Sequence, residues 1–332
     1  MLFRSGVFTQ QHLLYPINRG QLEGIDGVMS ITLSAASPAM PQFPTTLSTG
    51  QLGADRPPRD IVRVSSVLRN PYAVQSAIGV QRSVYGTVVS ADLVHLRGHD
   101  LLSLVDANAP ASVQKPAVRS VAQADASRPL VPAPSTYRGI VTLGNEGRSW
   151  YRALQVRASR YHGPVNLVVT YTLARADNLA DYELPEDSRN LAAEKGPAST
   201  DVRHAATSGA TWQVPGAGAL TRGWTLAGLL VARSGRPYTV TWGDDRNGTT
   251  QNDARPGGRN TRRTGAYRTV DVAITRRLHA PRVDVDTRLE IFNVFDTVNY
   301  DTYVGALLSP LFGQPVSAFP ARRVQLAVIA RF

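Results

Sequence analysis

Residues 282–295 read RVDVDTRLEIFNVF, and two kinds of side chain alternate along them. The apolar parity comprises Val283, Val285, Thr287, Leu289 and Ile291, and the charged parity comprises Asp284, Asp286, Arg288 and Glu290. Successive side chains of a β-strand point to opposite faces of the sheet. The segment therefore predicts a strand with one apolar face and one charged face.

The same alternation recurs along the chain and predicts about eleven strands in total. The predicted strands cover residues 2–15, 27–36, 72–84, 87–97 running into 100–106, 149–162, 165–178, 222–234, 236–243, 267–279, 282–295 and 322–332. No amphipathic helix pattern of comparable length accompanies them. The fold class predicted is all-β.

The last predicted strand, RRVQLAVIARF, carries its apolar face up to the carboxyl terminus. Val324, Leu326, Val328 and Phe332 share that face. Chain ends are usually frayed and polar. An apolar face that reaches the last residue therefore calls for a particular explanation.

The connections between predicted strands fall into two groups. The short ones are 85–86, 162–164, 234–237 and 279–282, and the long ones are 107–148, 179–221, 244–265 and 296–320. From residue 72 onward the two kinds alternate. Compact soluble domains rarely contain loops longer than about 12–15 residues, whereas outer-membrane barrels combine short periplasmic turns with long extracellular loops.

Strand length and charge favour lipid over a protein core as the neighbour of the apolar faces. Several predicted strands exceed the roughly 5–6 residues of ordinary strands and match the about 9–11 that a tilted strand needs to span a bilayer. An Arg or Lys that faces lipid at mid-membrane costs about 2–4 kcal/mol. Asp284, Asp286, Arg288 and Glu290 are therefore expected to face a water-filled lumen. A soluble antiparallel sheet remains the alternative.

Composition removes several classes of function. The chain of 332 residues has a formal net charge of +11, but no run of basic residues and no nucleic-acid recognition motif occurs, so nucleic acid is not an expected partner. The absence of Cys excludes disulfides, thiolate metal sites and Cys nucleophiles. No apolar stretch has the roughly 20 residues of a membrane helix, and the first sixteen residues lack the apolar core of a signal peptide.

Three stretches together resemble one family. The tail RLEIFNVFDTVNYDTYVG…LFG…FPARRVQLAVIARF is similar to the end of TonB-dependent outer-membrane receptors, particularly the subgroup with a carboxypeptidase-regulatory-like N-terminal domain. Residues 69–102, RNPYAVQSAIGVQRSVYGTVVSADLVHLRGHDLL, resemble a hairpin from the middle of these barrels. Residues 224–258, WTLAGLLVARSGRPYTVTWGDDRNGTTQNDARPGG, resemble a further hairpin followed by an Asp/Asn-rich loop.

The resemblance implies that residues 1–332 are a single β-barrel region, the C-terminal half of a barrel of about twenty-two strands. In the family a signal peptide, a TonB-box segment and a plug domain precede the barrel, and we expect none of them within this chain. An open sheet edge in lipid would leave backbone groups unpaired. The expectation is therefore a C-terminal fragment whose Met1 lies inside a strand.

The resemblance also assigns expected partners. In the family the alternating last strand with its terminal Phe is the signal that the barrel-assembly machinery reads, which gives that role to Phe332, with Val328, Leu326 and Val324 on the same face. Recognition by strand addition to a sheet edge fits this role physically. Outer-membrane lipid is the second partner, and TonB would act only through the missing plug.

No pattern in the sequence predicts enzyme chemistry, a cofactor or a metal. His95 and His99 lie four apart in VHLRGHD but lack a third ligand. The loop GDDRNGTTQND offers carboxylate and amide oxygens, yet an EF-hand alignment on Gly248 places Gly243 and Ala254 at its two anchor positions. Calcium in the 244–253 loop stays open. Ser, His and Asp occur, but no motif brings them together as a triad.

The predicted function is a barrel segment of a TonB-dependent receptor in the cell outer membrane that takes up a large or scarce nutrient. Its ligand would bind the extracellular loops, whose sequence does not identify it. The first alternative is a passive, porin-like or surface ligand-binding barrel. The second alternative is a soluble β-rich binding protein.

Overall fold

The computed structural model describes residues 2–9, 24, 44, 58–112, 118–133, 136–179, 183–218, 220–251, 254–280 and 283–331. The strands in these ranges are β1 (Leu2–Thr9), β2 (Arg59–Val64), β3 (Tyr72–Val84), β4 (Thr87–Asp106), β5 (Tyr137–His162), β6 (Val165–Asn178), β7 (Gly196–Pro197), β8 (His204–Gln213), β9 (Trp224–Arg233), β10 (Pro237–Tyr238), β11 (Arg262–Arg263), β12 (Tyr267–Ala280), β13 (Val283–Phe292) and β14 (Arg323–Arg331). A short helix, α1 (Val121–Ala126), and a 3₁₀ turn, Leu191–Glu194, complete them. No helix in the described ranges has the length and apolar character to cross a membrane.

Ten of these strands form one antiparallel run, in the order β1-β3-β4-β5-β6-β8-β9-β12-β13-β14. β2 pairs parallel to β5 and β7 pairs with β6, while β10 and β11 form a separate two-stranded sheet. Each long strand in the run pairs with the long strands that precede and follow it in the chain, so no crossover connection is needed to build the sheet. The predicted all-β, antiparallel architecture is confirmed. Among the described strands β1 and β14 are the edges, which makes the run an open segment.

The strand register aligns the alternating side chains of β13 with those of β12 and β14. Leu289 lies opposite Ile274 of β12 on one side and opposite Leu326 of β14 on the other. Val285 lies opposite Leu278 in the same way. Side chains of equal parity therefore line up into two continuous surfaces, which we call the apolar face and the polar face of the sheet.

Two of the predicted short turns have the backbone that a hairpin requires. Tyr85 and Gly86 both have positive φ, 47° and 75°, as a type I′ turn demands. Gly163 has a φ of 56° and is followed by Pro164, which fits a type II′ turn. Ala280 and Val283 pair across the β12–β13 turn, whose residues 281–282 lie outside the described ranges.

The sequence pattern misses strands β2 and β8, and one predicted strand is wrong. Residues 204–213 form β8 inside a predicted loop. The sequence does not reveal this strand because its apolar-face side chains are small, as at Ala206 opposite Tyr171 of β6. Conversely, 236–243 holds only β10 and a bridge at Thr241, and the predicted turn 234–237 begins a connection that runs to residue 266. The predicted strand 27–36 lies outside the described residues.

β4 ends at Asp106 as predicted, whereas β5 starts well before its predicted beginning. β5 begins at Tyr137 rather than 149, since it pairs with β4 up to Asp106 opposite Val141 and with β2 on its other side. One face of this extension is buried, at Val141 and Leu143, and the other is partly covered. The core at this end comprises Val62, Leu102, Leu104, Val141 and Leu143, with Leu68 and Leu184 packed against it.

Candidate functional site

The polar face of β13 holds the four residues that were predicted to line a lumen. Asp286 is buried between two guanidinium groups, with Oδ1 2.8 Å from Arg277 Nε and Oδ2 2.8 Å from Arg331 Nη1. Arg288 and Glu290 form an ion pair of 2.7 Å. Asp284 accepts a hydrogen bond from the His279 ring at 2.7 Å, if Nδ1 carries the proton. The charges thus neutralise one another along this wall, and their access to a lumen stays a prediction.

The apolar residues of β14 that were predicted as an assembly signal are largely uncovered. Val324, Leu326 and Val328 are 65%, 72% and 64% exposed. Such a row in an ordinary sheet would be packed against a second layer. Phe332, which carries the predicted signal, lies outside the described residues, so this role also stays a prediction.

The long connections pack against one another at a single end of the sheet. We call this assembly the cap: the described residues of the connections 107–136, 179–203, 234–266 and 293–322. Arg119 N–H donates to Arg246 O at 2.8 Å, and Arg189 Nη2 donates to Ala109 O at 2.8 Å. Leu307 N–H donates to Thr241 O at 2.9 Å. Backbone bonds and the Arg189 side chain thus join all four connections into one body.

Arg128 organises the first part of the cap. Its side chain is almost fully buried and donates to Asp106 Oδ2 at 2.9 Å, Asn108 O at 2.8 Å and Asp125 Oδ1 at 3.0 Å. Asn108, itself buried, accepts from Leu130 N–H and donates to Leu130 O, both at 2.8 Å. A buried guanidinium is tolerable only with such complete pairing. The arrangement fixes the path of the 107–136 connection where it leaves β4.

Two further buried centres join the other connections. Glu194 Oε2 accepts from Arg255 Nη1 at 2.8 Å, and Glu194 O accepts from Arg259 Nε at 3.2 Å. Asp201, 1% exposed, pairs with Arg263 and accepts from Ala176 N–H at 2.7 Å. All of these pairs join residues far apart in sequence. Because Glu194, Asp201, Arg255 and Arg259 are buried, the connections have little freedom to rearrange.

A cavity of about 200 Å³ lies where three of the connections meet. Arg119, Arg128 and Arg255 contribute to its lining, together with Glu186 and Asp187. Burial, and then repulsion from Arg128, lower the pKa of the Arg119 guanidinium from its ordinary value. The cavity offers donors and acceptors of both signs in a rigid frame, which suits a polar ligand.

An ion pair organises the 244–253 loop, for which the sequence left calcium binding open. Arg246 Nε lies 2.9 Å from Asp244 Oδ1, and its guanidinium stacks 3.8 Å from the centre of the Trp242 ring. The hydrogen bond from Arg246 lowers the pKa of the Asp244 carboxyl. Asp245 accepts from Thr250 N–H at 3.0 Å, and Asn252 and Asp253 lie outside the described residues. Within the described part of the chain, no group of three His, Asp or Glu residues is placed to hold a metal ion.

His95 and His99 do not meet. His95 lies on the apolar face opposite Arg152, whereas His99 stacks on Tyr72 with ring centres 4.9 Å apart. Four strand residues place two side chains about 13 Å apart, too far for one metal ion.

Sequence reasoning missed the buried arginines of the cap. The loops showed only scattered acids in 181–194 and scattered arginines in 243–265. The opposite charges of these two segments are a signal of contact between them, since Glu186 and Glu194 belong to the first and Arg255 and Arg259 to the second. Their pairing nevertheless depends on how the connections fold.

Comparison with known proteins gives a match over most of the chain. A family model described as the outer membrane beta barrel domain matches residues 21–258. No curated protein matches the sequence.

Solved structures with a similar fold are transporters and receptors of bacterial outer membranes. The outer membrane transporter YddB of Escherichia coli has 14% identity and a TM-score of 0.53 over 82% of this chain and 34% of its own. The siderophore receptor PirA of Acinetobacter baumannii has 11% identity and a TM-score of 0.53 over 82% and 33%. The ferric enterobactin receptor PfeA of Pseudomonas aeruginosa, as its G324V mutant, has 12% identity and a TM-score of 0.50 over 82% and 32%. This chain thus spans about a third of their length. The matches confirm the resemblance to outer-membrane receptor barrels.

Proposed function

The chain belongs to the outer membrane beta barrel domain family, and from this membership we propose that it forms a barrel wall and ligand-binding cap of an energy-coupled outer-membrane receptor. Its sheet is a segment of an antiparallel barrel in the cell outer membrane, and its apolar face contacts lipid. The cap lies at the end with the long connections, which is the extracellular end in such barrels. The receptor would import a large or scarce nutrient.

The observation that carries the proposal is the buried polar packing of the cap. A passive pore needs loops that leave the passage open, whereas a receptor needs a preorganised surface that holds one ligand. Arg128, Arg255 and Arg259 are 5% exposed or less, and each is bonded to another part of the cap. This packing fixes the cavity between the connections before any ligand arrives.

The polar face supplies the path beneath the cap in this proposal. The lumen would be lined by Asp284, Asp286, Arg288 and Glu290. A cation that faces lipid at mid-membrane costs about 2–4 kcal/mol and an acid costs less, so all four together would cost several kcal/mol on the lipid side. TonB would act through the plug domain of such a receptor. The barrel-assembly machinery would read Phe332 with Val324, Leu326 and Val328.

Ferric chelates are the first ligands to test. PirA and PfeA are receptors for a siderophore and for ferric enterobactin, and their shared fold suggests a related cargo for this protein. A ferric tris-catecholate such as ferric enterobactin is anionic, and Arg119 in the cavity lining offers a cationic donor.

A passive, porin-like or surface-binding barrel is the alternative. It would conduct ions steadily in a planar bilayer and would need no coupling protein. The soluble β-rich alternative does not fit an outer-membrane family whose uncovered apolar face spans ten strands.

The test is ligand binding by the detergent-purified chain, followed by Trp242 fluorescence in the cap. Ferric enterobactin and a ferric hydroxamate would be titrated against the natural chain, Arg119→Gln and Arg222→Gln. Arg222 is exposed at the opposite end of the sheet and provides the same change of charge. Saturable quenching that weakens only in Arg119→Gln supports the proposal. Steady conductance without saturable binding of either chelate contradicts it.

Coupling needs a separate measurement. Uptake of the bound chelate would be compared in cells that produce the protein with and without TonB. We expect uptake to depend on TonB when the plug is present, and equal uptake in both strains would favour the passive barrel.

A further inference from the structure

The apolar face carries two arginines and a histidine side by side at its extracellular end. His95 of β4 lies opposite Arg152 of β5, and Arg152 lies opposite Arg175 of β6. We call these three residues the cationic row. Adjacent strands are about 4.8 Å apart, so the three side chains leave the sheet side by side on the lipid side of the wall.

The row marks the edge of the membrane-spanning band. On β5 the apolar-face residues between Arg152 and Arg160 are Leu154, Val156 and Ala158. Eight residues span about 27 Å along a strand, or about 21 Å across the bilayer at a tilt of about 40°. That is close to the about 25 Å height of the apolar band of such barrels. Arg152 therefore lies at the outer-leaflet headgroups, and Arg160 lies at the inner boundary.

A shallow groove of about 530 Å³ lies along this row, crosses β3 to β6 and reaches one residue row further into the apolar face. Ile78, Leu93, Leu154 and Leu173 line its lower part, and Leu93 is 57% exposed. The cationic row and Arg203 line its upper end. Its shape and chemistry match a molecule with an anionic head and an alkyl chain.

The arginines of the row lack sufficient counter-charge in the protein. Within the described residues, neither the His95 side chain nor the Arg152 side chain has a hydrogen bond or an ion pair. Arg175 pairs with Asp177 at 2.7 Å, and the five donors of a guanidinium leave capacity beyond that one partner. Adjacent cations repel one another, and the repulsion is strongest where lipid lowers the local dielectric constant. An anion that bridges them would remove this cost.

We propose that the cationic row binds the phosphate of an outer-leaflet lipid, with an acyl chain of the same molecule in the groove below. Phosphate oxygens accept several charge-assisted bonds at once, and Arg donors match their geometry. The apolar groove supplies the second contact, which a free phosphate ion could not use. The site lies on the outside of the wall, so it is independent of the receptor proposal.

The test compares two double variants of the full 332-residue chain in detergent. Arg152→Gln with Arg175→Gln removes two arginines from the row, and Arg82→Gln with Arg160→Gln removes two from the apolar face at its opposite end. Dioleoyl phosphatidic acid, dioleoylglycerol and inorganic phosphate are the probes, and native mass spectrometry counts the bound lipid. Far-UV circular dichroism checks folding, with Arg152→Gln alone as the second variant if the double variant fails to fold.

We expect phosphatidic acid to bind the natural chain and dioleoylglycerol not to bind. The row variant should bind phosphatidic acid about tenfold more weakly or worse, since a lost charge-assisted contact is worth about a factor of ten. The control pair should keep its affinity within about twofold. Equal weakening in both pairs, unchanged binding in the row variant, or displacement of the lipid by inorganic phosphate would each overturn the proposal.

Discussion

The wall and the cap of this protein are held together in different ways. In the wall, which is the ten-stranded sheet, alternation and a short turn are enough to set the pairing of β12 with β13. Each cross-strand pair such as Ile274 and Leu289 repeats the same two-residue pattern. In the cap, Arg255 reaches Glu194 and Arg128 reaches Asp106 across loops of no regular pattern. The wall is therefore specified locally and repeatedly, whereas the cap rests on a few buried, non-local charges.

The largest expected effect comes from breaking a buried centre of the cap. Arg255→Ala leaves the Glu194 carboxylate buried without its 2.8 Å partner, and removal of one member of such a pair costs about 3–5 kcal/mol. We expect faster hydrogen exchange across 186–194 and an unchanged wall. Hydrogen-exchange mass spectrometry in detergent measures both regions.

A charge-balanced control separates the ion pair from packing. Glu194→Gln with Arg255→Gln removes both charges and should lose less stability than Arg255→Ala. An effect of Arg255→Ala that spread equally to β12–β13 would contradict the separation of wall and cap.

Two adjacent residues of β12 test the faces of the wall. Ile274 lies opposite Leu289 on the apolar face, and Ala273 lies opposite Glu290 on the polar face. Ile274→Arg should destabilise the protein in lipid vesicles by about 2–4 kcal/mol near the bilayer centre. Ala273→Arg should have a much smaller effect, because it gains an acidic neighbour. Urea unfolding in vesicles compares them, and equal losses would mean that the faces are misassigned.

The docking of two connections in the cap depends on one glycine. Gly248 has a φ of 70°, and a Cβ there would lie 2.6 Å from Ser120 O. Gly248→Ala should cost about 1–3 kcal/mol from backbone strain, plus the clash. Gly313 has a φ of 75° with open space around it, so Gly313→Ala reports the strain alone. Hydrogen exchange at residues 119–124 should rise only in Gly248→Ala, and a rise in both variants would rule out the contact.

The smallest effect concerns the partly exposed pair of Asp244 and Arg246. The hydrogen bond from Arg246 lowers the pKa of the folded carboxyl below its unfolded value, so the contact stabilises the loop above the unfolded pKa and fades as the pH falls through the folded pKa. Trp242 fluorescence should change over that acidic range. Arg246→Gln should shift the midpoint upward, and an unchanged midpoint would mean that another group titrates.

Much of the wall could be predicted from residues alone. β13 was evident from its charges, and the turn at Tyr85 and Gly86 from its glycine. β8 was missed because Ala206, Ser208 and Ala210 carry little contrast, and their partners Tyr171, Val169 and Leu167 supply the bulk. The predicted β5 starts twelve residues too late because residues 138–149, RGIVTLGNEGRS, are rich in Gly and polar residues and show no regular apolar alternation.

The sequence by itself determined the class of the fold, the two faces of the wall and the division into short and long connections, since these follow from a period of two and from the positions of turn residues. Only the tertiary structure decided that Arg128, Arg255 and Arg259 hold the cap, and that His95, Arg152 and Arg175 form one row. The physical reason is distance along the chain. Alternation is a property of neighbouring residues, whereas a buried ion pair or a row across strands exists only once register and loop paths are set.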